Sequence, residues 1–118
     1  MREIKFRVLW NGKMLYYEDG DFLMYRGRPC LNENGDLIGL AGCSEIMQFT
    51  GLQDKNGVDI YEGDIVNYTK HEEQSDRCTV VYSDNYFKLQ QISDKQRSWI
   101  TFSVMNIEVI GNIHENKL

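Results

Sequence analysis

The sequence contains one proline, Pro29, in 118 residues, and no apolar run approaching the ~18 residues that a membrane-spanning helix requires. Met1-Arg2-Glu3-Ile4-Lys5 interleaves charge with apolar residues where a secretion signal needs an unbroken apolar block, so the expectation is a cytoplasmic protein without membrane contact. Cysteine is scarce and odd in number: Cys30, Cys43 and Cys78 never form C-x-x-C, which excludes a zinc ribbon and a disulfide framework and leaves small core or surface thiols. The two histidines, His71 and His114, lack H-x-x-x-H spacing, and no serine or cysteine motif supplies a nucleophile. No phosphate-binding glycine loop is present, and no window holds a helical period over three turns.

Positive charge is also short. The formal net charge is −5. Residues 1–30 carry six basic and four acidic side chains, residues 31–76 two and ten, and residues 77–118 five and four. Nonspecific phosphate binding needs clustered lysine and arginine, so this balance argues against it. Arg2, Lys5, Arg7, Arg26 and Arg28 form a small basic stripe, which reads as a solvated strand face. Seven tyrosines and two tryptophans could stack on bases, but without a positive groove they read as core and cross-strand packing.

What is abundant is strand chemistry. Hydrophobic residues make up 42% and aromatics 12%, enough for a 118-residue chain to bury a core without metal or disulfide. Ile4, Phe6, Val8 and Trp10 alternate with Glu3, Lys5 and Arg7, a half-buried strand, and Asn11-Gly12 predicts a type I′ turn into a partner strand over KMLYYED. Residues 20–42 predict short strands and loops, with Asn34-Gly35 heading a second hairpin into DLIGLA. SEIMQF reads as strand or one short helical turn. KHEEQSD, polar and aperiodic, predicts an exposed mobile loop. RCTVVYSDNYFKLQQI predicts two strands about Asp84-Asn85, with Cys78, Val80 and Tyr82 on one face, while SWITFSV alternates again and Val109 to Ile113 reads as a closing strand. The predicted class is mainly β: a hairpin-rich N-terminal subdomain over residues 1–57, then a small SH3-like barrel over residues 58–118.

One stretch invites a chemical reading. FTGLQDKNGVDIYEGDIV, Phe49 to Val66, holds Asp54, Asp59, Glu62 and Asp64. A calcium loop needs glycine at its sixth position and glutamate at its twelfth, but counting from Asp54 those places fall on Asp59 and Ile65. A catalytic carboxylate pair needs a cleft and a raised pKa, and on a strand Asp59 and Glu62 would face opposite sides. The stretch therefore predicts turns: Asn56-Gly57 in the positive-φ region, Asp54 accepting backbone N–H bonds, and a second bend at Gly63-Asp64.

MREIKFRVLW, IMQFTGLQDKNGVDIYEGDIV, VVYSDNYF and IEVIGNIHEN, in that order, resemble the blocks of the YopX family of phage and prophage proteins. The resemblance runs the length of the chain. It implies a mainly β fold with an SH3-like C-terminal part and a tendency to oligomerise, with no established activity and no functional residue to carry over. Phe49 stands where the family often has tyrosine, and His114 where it often has an aromatic residue.

The functional expectation is thus a nonenzymatic accessory protein that self-associates and contacts a host or phage protein, because a small sheet must cover its edges or pair them with another chain. No residue is assigned a catalytic, cofactor-binding or metal-binding role, and no cofactor is expected. A second expectation is nucleic-acid binding through the N-terminal basic stripe, or imitation of DNA by the acidic residues of 31–76. A third is an enzyme whose site forms between subunits from Asp54, Asp59, Glu62, Asp64 and His71.

Overall fold

A computed structural model describes residues 5–71, 74–83, 85–100 and 103–115. Among them there is no α-helix. Twelve strands are joined by tight turns and two single-turn 3-10 segments, Tyr17–Asp19 and Val104–Asn106. The chain divides into two compact units, one over Glu3–Gln48 and one over Phe49–Leu118. The boundary expected after residue 57 lies within the turn that follows Asp54.

In the N-terminal unit, β1 (Phe6–Trp10) and β2 (Lys13–Tyr16) form the predicted hairpin. Asn11 and Gly12 adopt φ of 51° and 77°, the paired positive values that a type I′ turn demands. The first residues of β6 (Met47–Gln53) pair with β1 through Phe6↔Gln48 and Arg7↔Met47. The segment after residue 40 then continues along the same edge, where Ser44 N–H donates to Leu9 C=O at 2.9 Å and Leu9 N–H donates to Ser44 Oγ at 2.8 Å. Val8, Leu15, Phe22 and Leu40 are buried together. A three-stranded antiparallel sheet completes this unit: β3 (Leu23–Tyr25), β4 (Arg28–Glu33) and β5 (Asp36–Gly39). Its second turn is the predicted Asn34-Gly35 pair. Its first is Arg26-Gly27, also positive in φ at both positions, which the sequence reading had not identified because arginine rarely occupies that region.

In the C-terminal unit, the later part of β6 pairs with β7 (Asp59–Tyr61). The main sheet is five-stranded and antiparallel, in the order β11 (Ser98–Trp99), β10 (Tyr86–Gln91), β9 (Gln74–Ser83), β8 (Asp64–His71) and β12 (Ile107–Asn112). Ile60, Val66, Tyr68, Cys78, Val80, Leu89 and Ile107 form its core, with Phe87, Trp99 and Val109 packed against it.

Several expectations are corrected. KHEEQSD is no loop over most of its length, since β8 runs to His71 and β9 resumes at Gln74 with the two residues paired. Antiparallel ladders are made by backbone groups, and a polar side chain on a solvated face does not end one. Residues 72–73 lie outside the described set, as do Ile4, Asp84 and residues 101–102 of SWITFSV. SEIMQF forms no helical turn: residues 43–46 are irregular and Met47 begins β6. Arg7 is buried rather than solvated, so the basic stripe is broken. Tyr82 is half exposed despite sharing strand parity with buried Cys78 and Val80, and it packs edge-on against Phe87 at 4.8 Å. The closing strand begins at Ile107, earlier than Val109, and is kinked by a register shift between Val109 and Gly111.

Because Leu89 is 1% exposed in the middle of the larger core, Leu89→Ala should destabilise by about 2–5 kcal/mol. Tyr86→Ala, at 59% exposure, should cost under about 1 kcal/mol. Urea denaturation of both variants checks the contrast.

Candidate functional site

The acids of the Phe49–Val66 stretch are the chemically richest group in the sequence, and their geometry decides what they can do. Asp54 ends β6 at a turn. Its Oδ1 accepts the N–H groups of Asn56 at 2.8 Å and Val58 at 2.9 Å. The Asp54 backbone N–H donates to Val58 C=O at 2.8 Å, and Gly57 N–H donates to Asp54 C=O at 3.0 Å. Only Gly57 is in the positive-φ region, while Asn56 is not, so this third Asn-Gly pair closes a loop organised by the aspartate rather than a type I′ turn.

The other oxygen of the same carboxylate reaches far along the chain. Asp54 Oδ2 accepts the N–H of Val109 at 2.9 Å, in β12, fifty-five residues later. Lys55 N–H donates to Ile107 C=O at 3.1 Å beside it, and Asn56 Nδ2 donates to Glu108 Oε2 at 3.3 Å. The carboxylate is 6% exposed. Burial alone would push its pKa up, but the N–H groups of Val109, Val58 and Asn56, with the charge of Lys55, outweigh that and hold it below the ordinary carboxylate value. Asp54 is thus an anion held by backbone donors.

Asp64 is also buried, at 1% exposure, and its Oδ2 accepts Tyr61 N–H at 2.7 Å across the two-residue bend at Glu62-Gly63. The sequence reading foresaw neither burial. Asp59 lies at the surface end of β7, where Gln53 Nε2 donates to its Oδ1 at 3.0 Å. Glu62 is half-buried in the bend. His71 ends β8 opposite Gln74. The five residues considered for an interface enzyme site therefore occupy separate positions along β6, β7 and β8. Among the described residues no three His, Cys, Asp or Glu side chains gather as metal ligands would.

Further polar residues escaped the sequence reading. Thr50, buried, donates from Oγ1 to Ile60 C=O at 2.8 Å and accepts Leu52 N–H at 3.1 Å, holding the register shift of β6 against β7. Asn112, also buried, caps β12: its Oδ1 accepts His114 and Glu115 N–H at 3.1 and 2.9 Å, and its Nδ2 donates to Glu115 Oε1 at 2.8 Å. An Asn followed by a polar turn was the signal for the second.

An open pocket of about 430 Å³ lies beside Thr79, Gln90, Gln91, Ile92 and Lys95. Thr79 and Gln90 are cross-strand partners and share one face, whereas Gln91 pairs with Cys78 on the core face. There Gln91 Nε2 donates to Asp76 Oδ1 at 3.1 Å, and its Oε1 is buried without a donor among the described residues.

A family model described as YopX protein matches residues 5–118. Among solved structures, the chain is similar to protein EF1440 from Enterococcus faecalis, at 26% identity and a TM-score of 0.57, covering 98% of this chain and 96% of that one. It is also similar in fold to protein yopX from Bacillus subtilis, at 23% identity and a TM-score of 0.65, covering 95% of this chain and 94% of that one. Comparison with curated proteins finds no match.

Asp54→Ala should destabilise by about 2–4 kcal/mol, because it leaves buried donors without an acceptor. Asp54→Asn keeps an oxygen for Asn56 and Val58 but turns an amide N–H₂ toward Val109 N–H, so hydrogen exchange should quicken at Val109 far more than at the other two amides. The pH dependence follows from a depressed native pKa. The stability Asp54 contributes is complete above the unfolded value of about 4 and is lost as pH falls through the lower native value. Acid denaturation curves of wild type and Asp54→Asn should converge below pH 4 and separate above it.

Proposed function

The chain belongs to the YopX family, and from that membership we propose that it is a nonenzymatic phage or prophage accessory protein of the host cytoplasm, acting as a self-associating interaction module. The family resemblance supports the phage setting and a reading of the C-terminal sheet as SH3-like. The observation that carries the nonenzymatic reading is the commitment of Asp54 and Asp64 to backbone N–H groups. A carboxylate held ionised by backbone donors has neither the raised pKa of a general acid nor free oxygens for a metal. What the protein offers solvent instead is apolar: Tyr25, Leu37 and Ile38 in the N-terminal unit, and Tyr82, Tyr86, Ile100 and Met105 in the C-terminal unit, are each more than 40% exposed. Large exposed side chains on short strands are the chemistry of protein contact.

The burial of Arg7, Asp54 and Asp64 weighs against both nucleic-acid readings, since it removes a cation from the basic stripe and two anions from the acidic segment that would imitate DNA.

Light scattering coupled to size exclusion should give a mass above that of one chain; a monomer at high concentration would overturn self-association. A thermal-shift screen against divalent metals and nucleotides should leave the midpoint unmoved. A ligand at a hundred times its dissociation constant adds about 2.7 kcal/mol of stability, so a shift of that size would overturn the nonenzymatic reading.

A further inference from the structure

We propose that β5 is a self-association edge, at which two copies of the chain pair their β5 strands antiparallel about a two-fold axis at Leu37. The inference rests on the self-association proposed above and names its surface. Three features of the β3-β4-β5 sheet converge on it.

The first is the hydrogen-bond parity of the ladder. The two-residue Asn34-Gly35 turn makes its flanking pair, Glu33↔Asp36, a hydrogen-bonded one, so Leu31↔Ile38 is hydrogen-bonded too and Asn32↔Leu37 is not. The bond from Leu40 N–H to Pro29 C=O at 3.3 Å confirms the parity one step further on. Leu37 therefore directs both its N–H and its C=O away from β4, to the open side of the sheet. A strand whose outward residue offers one donor and one acceptor is self-complementary: two Leu37 residues facing each other across a two-fold axis exchange both bonds.

The second feature is exposure. Every residue of β5 is exposed, and Leu37 at 45% and Ile38 at 41% point to opposite faces. Neither face of the strand is covered, and β5 carries no lysine, proline or bulge to discourage pairing.

The third feature is charge, and it selects the partner. The sheet has an acidic end, where exposed Glu33 and Asp36 sit directly opposite each other, and a basic end, where exposed Arg26 and Arg28 flank the other turn. Two carboxylates in register repel. An antiparallel two-fold pairing turns the acidic end of each copy toward the basic end of its mate, whereas a parallel pairing would set acid beside acid. The chain thus carries on one sheet both halves of the complementarity, and a second copy supplies what the first lacks.

The test uses Leu37→Pro and Leu37→Cys in the full chain. Proline at 37 removes the outward N–H without removing a bond to β4, so the light-scattering mass of L37P should fall to half that of wild type at unchanged far-UV circular dichroism. In a two-fold hydrogen-bonded pair the two Cα atoms stand about 5.5 Å apart, within disulfide reach, so mild oxidation should convert L37C to a covalent dimer. Wild type, with Cys30 and Cys78 buried, is the control. A monomeric wild type overturns this inference and self-association together. An oligomeric wild type whose mass L37P leaves unchanged, while remaining folded, overturns the β5 surface alone and leaves self-association standing. If L37P loses its strand spectrum, L37C decides, and failure to crosslink from an oligomeric wild type overturns the surface.

Discussion

The carboxylate of Asp54 ties together two parts of the C-terminal unit that the chain separates by more than fifty residues. One oxygen closes the local loop to Asn56 and Val58 while the other holds Val109 in β12. Lys55 N–H extends the contact to Ile107 C=O, so the turn after β6 acts on the backbone of β12 much as a further strand would. Val109 is also where the pairing of β12 with β8 changes register. At a bulge, a backbone N–H is released from the ladder and needs another acceptor. An ionised side chain supplies a stronger one than a neutral carbonyl. Function as a fastener and function as a catalyst exclude each other here, because the same lone pairs cannot do both.

Around that fastening, apolar packing fixes the sheet. Val66 and Tyr68 of β8, Cys78 and Val80 of β9, and Leu89 of β10 lie on one face of the ladder, and Ile60 and Ile107 join them. Tyr68 and Trp99 meet edge-on at 5.3 Å, which closes the β11 end of the sheet with an aromatic pair. Asp64 performs on a small scale what Asp54 performs on a large one, holding Tyr61 N–H so that β7 turns sharply into β8. The sequence stretch that most resembles a reactive cluster is therefore a set of backbone clasps for β6, β7, β8 and β12.

How much of this was legible depends on the range of the interaction. Asn11-Gly12 and Asn34-Gly35 were readable because the positive φ they favour is a property of the residues themselves. The strand at β1 was readable from its alternation of Phe6, Val8 and Trp10, but the burial of Arg7 between them was not, since alternation places a side chain on the other face without saying what covers it. The local half of the Asp54 clasp, its bonds within four residues, followed from turn chemistry. Its bond to Val109 had no counterpart in any local pattern. KHEEQSD misled for a related reason: polarity was taken for irregularity, whereas the β8–β9 ladder runs on from the buried pairing at Val66↔Cys78 into residues that have no core of their own.

The sequence by itself determined the strand class, the positions of the hairpin turns and the family, because alternation, Asn-Gly pairs and the QFTGLQDKNGVDIYEGDIV block are encoded over spans of a few residues. Only the tertiary structure decided that Asp54 and Asp64 are buried and bound to backbone N–H groups, that β12 lies beside β8, and that β5 presents an uncovered edge. The physical reason is that burial and strand order belong to contacts between distant segments, and a carboxylate has the same local sequence whether it meets water or a backbone amide.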